Sequence, residues 1–284
     1  GAQTDELLRD FADRLNYLLN LKKRKEEVTA SITEQGKWTD ELAAALSAAG
    51  TLAEVEDIYR PYKQKKKTRA GVAMEKGLQP LADIIFAQAD AGSLEELAAP
   101  YVDAEKGVET AADALAGASD IIAEYISDNA DIRKTLREYI TETGSLSTEK
   151  AKDAPEDKLP TYEMYLEYSE PVGKIPPHRI LAVNRGEKDG CLKVTVSCDG
   201  DVCLDKIGAA VLVPGGAYSE FIKTAAADAF SRLVFPALER ELRSTITEKA
   251  EESAIKAFEV NLKPLLMQPP LKDKVILGLD PAYR

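Results

Sequence analysis

Residues 108–144 read VETAADALAGASDIIAEYISDNADIRKTLREYITETG. The stretch is alanine-rich, and alanine is the best helix former, so it reads as helix rather than strand. Gly117 divides it into segments over 108–115 and 118–127. A third helix is predicted over 131–143, with Gly144 closing it as a C-terminal cap. Upstream, Leu8, Phe11, Leu15 and Leu18 recur at spacings of three and four, with Leu7 and Leu19 widening the stripe. That is the pattern of one apolar helix face. Asp10, Asp13, Arg14 and Asn20 occupy the other side. Short helices are predicted between these two regions, over 40–49, 51–59, 71–76, 81–89 and 94–99. Gly36, Gly50, Pro61, Gly77 and Pro80 punctuate them, and Thr39 and Ser93 serve as N-caps. The fold class is therefore mainly α, with a helical N-terminal domain over 1–144.

Downstream the pattern changes. Residues 145–160 are polar and charged and hold Pro155 and Pro160, so they read as a linker or exposed loop. The apolar-rich run 179–184, the turn 185–190 and the alternating run 192–196 read as a β-hairpin. A long helical stretch follows from about 218 to 267, with Pro236 expected to kink or break it. The segment 161–274 is thus one hairpin plus long helices. Val275-Ile276-Leu277-Gly278-Leu279-Asp280 reads as a buried-type strand. A single strand cannot bury itself, so it is expected to be a truncated element of a longer protein.

The chain has 284 residues, of which 44% are hydrophobic and 30% charged, the balance of a globular protein. No apolar run is long enough to span a bilayer. The acidic start shows no secretory signal. His178 is the only histidine, which excludes His-based metal clusters, an HExxH protease and most two-histidine mechanisms. Cys191, Cys198 and Cys203 form no CxxC pair, and three cysteines do not make a disulfide framework. They are expected to be reduced, buried thiols in a cytoplasmic protein. No Walker A loop, GxGxxG or GxSxG motif occurs.

The net charge of −12 opposes generic binding to phosphate backbones, but one stretch reverses it locally. Tyr59-Arg60-Pro61-Tyr62-Lys63-Gln64-Lys65-Lys66-Lys67-Thr68-Arg69 places six cations and two tyrosines within eleven residues. Clustered cations gain from counterion release at phosphates, and tyrosine faces can stack on bases. The candidate nucleic-acid contacts are Arg60, Tyr62, Lys63, Lys65, Lys66, Lys67 and Arg69. The same cations could instead neutralise acidic helices of this chain, and both readings stand. Lys22-Lys23-Arg24-Lys25 is best read as a helix face offset by Glu26 and Glu27. His178 is expected to be a structural imidazole bonded to backbone. Tyr162, Tyr165 and Tyr168 are expected to pack rather than form a stacking platform. Asp280 ends an apolar strand, where a carboxylate can hold Mg²⁺, but two or more further carboxylates would be needed.

Taken in order, three groups of residues closely resemble the Tex family of bacterial transcription accessory proteins. The first runs from Asp57 through Lys63, continues through Lys67-Thr68-Arg69-Ala70, and ends with Glu75-Lys76-Gly77-Leu78 and Pro80-Leu81-Ala82. The second is Tyr168-Ser169-Glu170-Pro171-Val172 with Ile175-Pro176, His178-Arg179, Arg185-Gly186-Glu187 and Gly190. The third is Gly278-Leu279-Asp280-Pro281, which looks like the first strand of the family's RNase H-like (YqgF-type) domain. On that basis 275–284 is read as the start of that domain. The resemblance implies a helical segment before Gly1. It also implies, after Arg284, the rest of the RNase H-like domain, helix-hairpin-helix motifs and an S1 domain. The last two are the family's expected main nucleic-acid-binding parts. The family's RNase H-like domain is regarded as lacking nuclease activity, and no catalytic role passes to Asp280. The family is also similar to the core of a eukaryotic elongation factor that handles histones, which suggests a scaffold role around transcription.

The expected function is that of a nucleic-acid-binding transcription accessory protein. This chain would be its helical scaffold region, with a phosphate-backbone contact at the basic stretch. It is expected not to be an enzyme, to need no cofactor or metal and to work in the cytoplasm away from membranes. Its expected partners are RNA or DNA and the transcription machinery. The alternatives are a purely structural interaction module, or part of a metal-dependent nuclease built around Asp280.

Overall fold

A computed structural model describes residues 2–63, 67–269, 272, 275, 277 and 278. The chain is mainly α, with one small antiparallel sheet. The helices are α1 (Ala2–Glu34), α2 (Asp40–Ala48), α3 (Leu52–Tyr59), α4 (Arg69–Glu75), α5 (Gln79–Phe86) and α6 (Leu94–Ala98). They continue with α7 (Ala111–Asp128), α8 (Ala130–Thr143), α9 (Pro177–Lys188), α10 (Gly200–Val211), α11 (Ser219–Asp228) and α12 (Phe235–Leu266). The strands are β1 (Ser145–Lys150), β2 (Glu167–Pro171) and β3 (Leu192–Ser197), in the order β2–β1–β3. Two compact units interleave along the sequence. The first comprises Gly1–Ser145 and Val196–Leu242, the second Leu146–Thr195 and Arg243–Arg284. The sequence suggested successive segments instead.

The first unit is built around α7. Thr110 caps it, accepting from the Asp113 N–H while Asp113 bonds the Thr110 N–H. This reciprocal box satisfies two of the helix's orphan donors. Ala114, Ala118, Ile121, Ile122 and Ile126 are buried, and α4, α5, α6 and α11 pack on the helix. Gly117 does not divide it, contrary to the sequence reading. A Cβ there would stand 2.3 Å from Leu78 Cδ1 and 3.3 Å from Ala73 Cβ. The glycine is a point of close approach rather than a break, and its helix cost is offset by that packing. A second cluster joins Leu21, Val28 and Ile32 of α1 to Leu46, Ala49 and Val55, with Trp38, Tyr59 and Tyr62 against it. The earlier stripe of α1 at Leu8, Phe11, Leu15 and Leu18 is exposed.

The break expected at Pro236 falls just before it. Residues Ala229–Val234 form a π-helical turn between α11 and α12. Proline has no N–H to give the preceding turn and its ring crowds the carbonyl four residues back, so the ladder widens there.

The expected linker is corrected over its first six residues. Ser145–Lys150 is β1, the central strand of the sheet. Thr148 is buried on it, and its hydroxyl donates to the Tyr165 carbonyl. The expected β-hairpin is also corrected. Run 192–196 is a strand, with Leu192, Val194 and Val196 buried. Run 179–184 lies in the helix α9, and β3 pairs with β1. Pro177 stands at the first helical position, where its missing N–H costs nothing, and Ile180 and Val183 bury one face. Gly190, at φ +75°, turns the chain out of the helix into β3. Of the strand expected over 275–280, Val275 and Leu277 are exposed and in no strand. The rest, Asp280 included, lies outside the described residues.

Candidate nucleic-acid interface

The basic stretch connects α3 to α4, and both helix ends are fixed locally. Thr51 and Glu54 form a capping box at the start of α3. After Tyr59 the chain makes one 3-10 turn, Arg60–Tyr62, with Pro61 inside it. Proline's fixed φ suits that turn, and Lys63 then leaves in an extended conformation. At the far side Thr68 caps α4, accepting from the Gly71 N–H at 2.9 Å. Its hydroxyl donates to Glu124 at 3.1 Å, which ties the cap to α7.

The structure sorts the candidate residues. Arg60 donates from Nε to Asp128, the last residue of α7, at 3.0 Å. Lys63 lies 3.2 Å from Glu56, which also receives Arg24 Nε at 2.6 Å. Burial works to raise the Glu56 carboxyl's pKa, but Arg24 and Lys63 outweigh it and hold it below the usual range. Tyr62 is half-buried against the α1–α3 cluster, and its carbonyl accepts from Gln35. Lys67 and Arg69 are exposed. Lys65 and Lys66 lie outside the described residues. The structure thus brings Arg60, Tyr62 and Lys63 into contacts within the unit; Lys67 and Arg69 are exposed, and the Arg69 charge helps to lower the pKa of Asp228.

An open groove of about 710 Å³ lies beside the stretch. Lys63, Lys67 and Pro61 line it together with Glu124, Tyr125 and Asp128. Tyr125 donates to Asp83 at 2.9 Å, and burial with that carboxylate pushes its hydroxyl pKa up to about 12. The groove is mixed in charge. Its charged and polar lining offers ionic and hydrogen-bonding contact.

The other singled-out residues resolve as follows. Lys22 pairs with Glu26 and Arg24 with Glu27, while Arg24 also reaches Glu56 of α3. Tyr162 and Tyr165 are buried, and Tyr165 meets Tyr168 edge-on at 5.5 Å. His178 is exposed in the first turn of α9. Its neighbour Arg179 bonds Glu170 at 2.9 Å and lies over the Tyr168 ring. Among the thiols, Cys191 and Cys203 are buried and Cys198 half-buried.

Sequence reasoning missed a buried ionic network. Asp57 of α3 accepts from Arg133 Nε and from Arg137 Nη2 of α8, each at 2.5 Å. Arg137 also bonds Glu241 of α12 at 2.5 Å. Burial works against the Arg137 charge, but Glu241 and Asp57 outweigh it and raise its pKa. The available signal was two arginines four apart on a helix whose Ile132, Leu136 and Ile140 face the core.

Residues 90–258 match the family described as Tex central region-like. Over its whole length the chain is 42% identical to the uncharacterized protein YdcI of Bacillus subtilis, of which it covers 40%. It is 33% identical to the transcriptional accessory protein Tex of Neisseria gonorrhoeae, with all of this chain and 38% of that protein covered. It is 27% identical to the human S1 RNA-binding domain-containing protein 1, with 98% and 29% covered. The chain therefore spans well under half the length of these curated relatives.

Proposed function

The chain belongs to the Tex family, and from that premise we propose that it is the helical scaffold region of a nucleic-acid-binding transcription accessory protein. In this reading the connection between α3 and α4 touches the phosphate backbone and performs no chemistry. The supporting observation is the exposure of Lys67 and Arg69 on an otherwise acidic chain. Lys65 and Lys66 belong to the same run of sequence. Such contacts carry no base information, so binding is sequence-independent and weakens with salt. The names of the relatives support a nucleic-acid-associated family. A cytoplasmic setting and contact with the transcription machinery belong to this proposal.

The test is fluorescence anisotropy of the chain with labelled single- and double-stranded RNA and DNA across a salt series. The expected result is weak binding whose logarithm falls linearly with the logarithm of salt concentration. No binding at low salt would remove the interface from this chain.

A second reading has its own support. Arg60 and Lys63 are tied to Asp128 and Glu56 within one unit. Part of the basic stretch would then serve the fold, as in a structural interaction module. Replacing Arg60 should lower the melting temperature if this is so, and a melting temperature unchanged in Arg60→Ala would count against it.

A further inference from the structure

Two of the three thiols meet. Cys198 directly follows β3, and Cys203 lies in the first turns of α10, five residues on. Their Sγ atoms are 3.7 Å apart. Asp199, the N-cap between them, fixes the intervening backbone by accepting from the N–H groups of Asp201 and Val202 at 3.1 and 3.2 Å. Cys203 is fully buried, while Cys198 is open to solvent on one side. Cys191 has a different environment, with its Sγ 3.9 Å from the Asp189 carbonyl.

We propose that Cys198 and Cys203 are an oxidation site that closes to an intramolecular disulfide when the chain meets a peroxide. Cys198 is the sulfur the oxidant can reach. Its thiolate attacks one peroxide oxygen, the O–O bond breaks, and Cys198 becomes a sulfenic acid while the departing hydroxide takes up a proton as water. The Cys203 sulfur then attacks the Cys198 sulfur. The S–O bond breaks, the S–S bond forms, and the thiol proton leaves with the hydroxyl as a second water. Each sulfur is oxidised by one electron, and the two peroxide oxygens take up both. Closing the bond requires the sulfurs to approach from 3.7 Å to about 2.05 Å.

Burial raises the pKa of both thiols, that of Cys203 to about 12, with Lys206 acting in the opposite sense there. The thiolate fraction at neutral pH is therefore small, and the site answers sustained rather than brief peroxide exposure. The bond would tie the exit of β3 to the start of α10, so its structural effect is local.

The test is to expose the reduced full chain to hydrogen peroxide, alkylate the remaining thiols under denaturing conditions and map the peptides by mass spectrometry. The expected product has lost two hydrogens, carries a Cys198–Cys203 cross-link and is alkylated at Cys191. Cys203→Ser should abolish the cross-link and let Cys198 advance to the sulfinic acid, while Cys191→Ser should leave it intact. Peptide mapping of the unsubstituted chain decides the matter without any variant. Full alkylation of Cys198 and Cys203 after exposure would overturn the proposal. So would a disulfide through Cys191 or between chains, or sulfinic acid at Cys198 with Cys203 still free.

Discussion

Arg133 donates to Asp57 at 2.5 Å, and the two side chains retain only 5% and 6% of their solvent exposure. Asp57 opens the first of the sequence stretches that resemble the family, just ahead of the cations. The role the structure gives it is internal, since it joins α3 to two arginines of α8.

Removing one partner of a buried pair leaves a charge without its counter-ion, at a cost of about 3–5 kcal/mol. Asp57→Ala is expected to lower the unfolding free energy by that order, read by urea denaturation. Arg133 Nη1 is buried without a hydrogen-bond partner. Replacing both residues, Asp57→Leu with Arg133→Met, therefore removes two desolvation penalties and an orphan donor. The double variant is expected to be more stable than Asp57→Ala. A double variant as unstable as the sum of the single ones would contradict this.

Gly117→Ala pits propensity against packing. Alanine favours a helix interior over glycine by about 1 kcal/mol. The new methyl would stand 2.3 Å from Leu78 Cδ1, and Leu78 is buried, so the side chain must shift within the core. Overpacking of that kind costs about 1–3 kcal/mol, so the variant is expected to melt lower than the parent. A higher melting temperature would show that α7 and Leu78 can separate without loss.

Gly186→Ala makes the same argument in the second unit. Its Cβ would meet Leu192 Cδ1 at 2.5 Å and Leu192 Cγ at 2.8 Å. Loss of amide protection in α9 and β3 is expected by hydrogen exchange, and unchanged protection would contradict it.

Much of this was legible in the sequence. Thr39 and Ser93 stand where helices begin, because a side-chain oxygen there satisfies an orphan N–H whatever the tertiary context. What failed was decided at longer range. Gly117 looks like a stop until Leu78 is seen against it. Residues 179–184 are apolar enough for a strand, and only the buried spacing of Ile180 and Val183 after Pro177 makes them helical. Ser145–Lys150 is polar, yet it is the central strand because Leu146 and Thr148 alternate inward. At the candidate site the cations were legible as a group, but which ones are partnered was not. Asp128 lies 68 residues from Arg60, and Glu56 meets Lys63 from the preceding helix.

Acid should weaken the contacts around α3 in a defined direction. Glu54 and Glu56 have folded pKa values below the ordinary 4.5. The Glu54 shift comes first from Lys134 and then from the Gly50 N–H, and the Glu56 shift from Arg24 and Lys63 against its burial. A lowered carboxylate pKa contributes stability that is present above the unfolded value and lost as pH falls through the folded one. Stability is expected to decline below about pH 4.5, and Glu56→Gln should flatten part of that decline. Identical pH profiles for parent and variant would remove Glu56 from the account.

The most direct measurement compares two charge variants of the basic stretch by salt-dependent anisotropy and by melting. Lys67→Glu with Arg69→Glu changes the exposed cations, and Arg60→Ala with Lys63→Ala changes the partnered ones. The first pair is expected to lose nucleic-acid affinity, with a salt slope reduced by about one per phosphate contact removed, and to lose less melting temperature than the second. The second pair is expected to melt lower. Unchanged affinity in the Lys67→Glu, Arg69→Glu variant would contradict the claim that this connection faces nucleic acid.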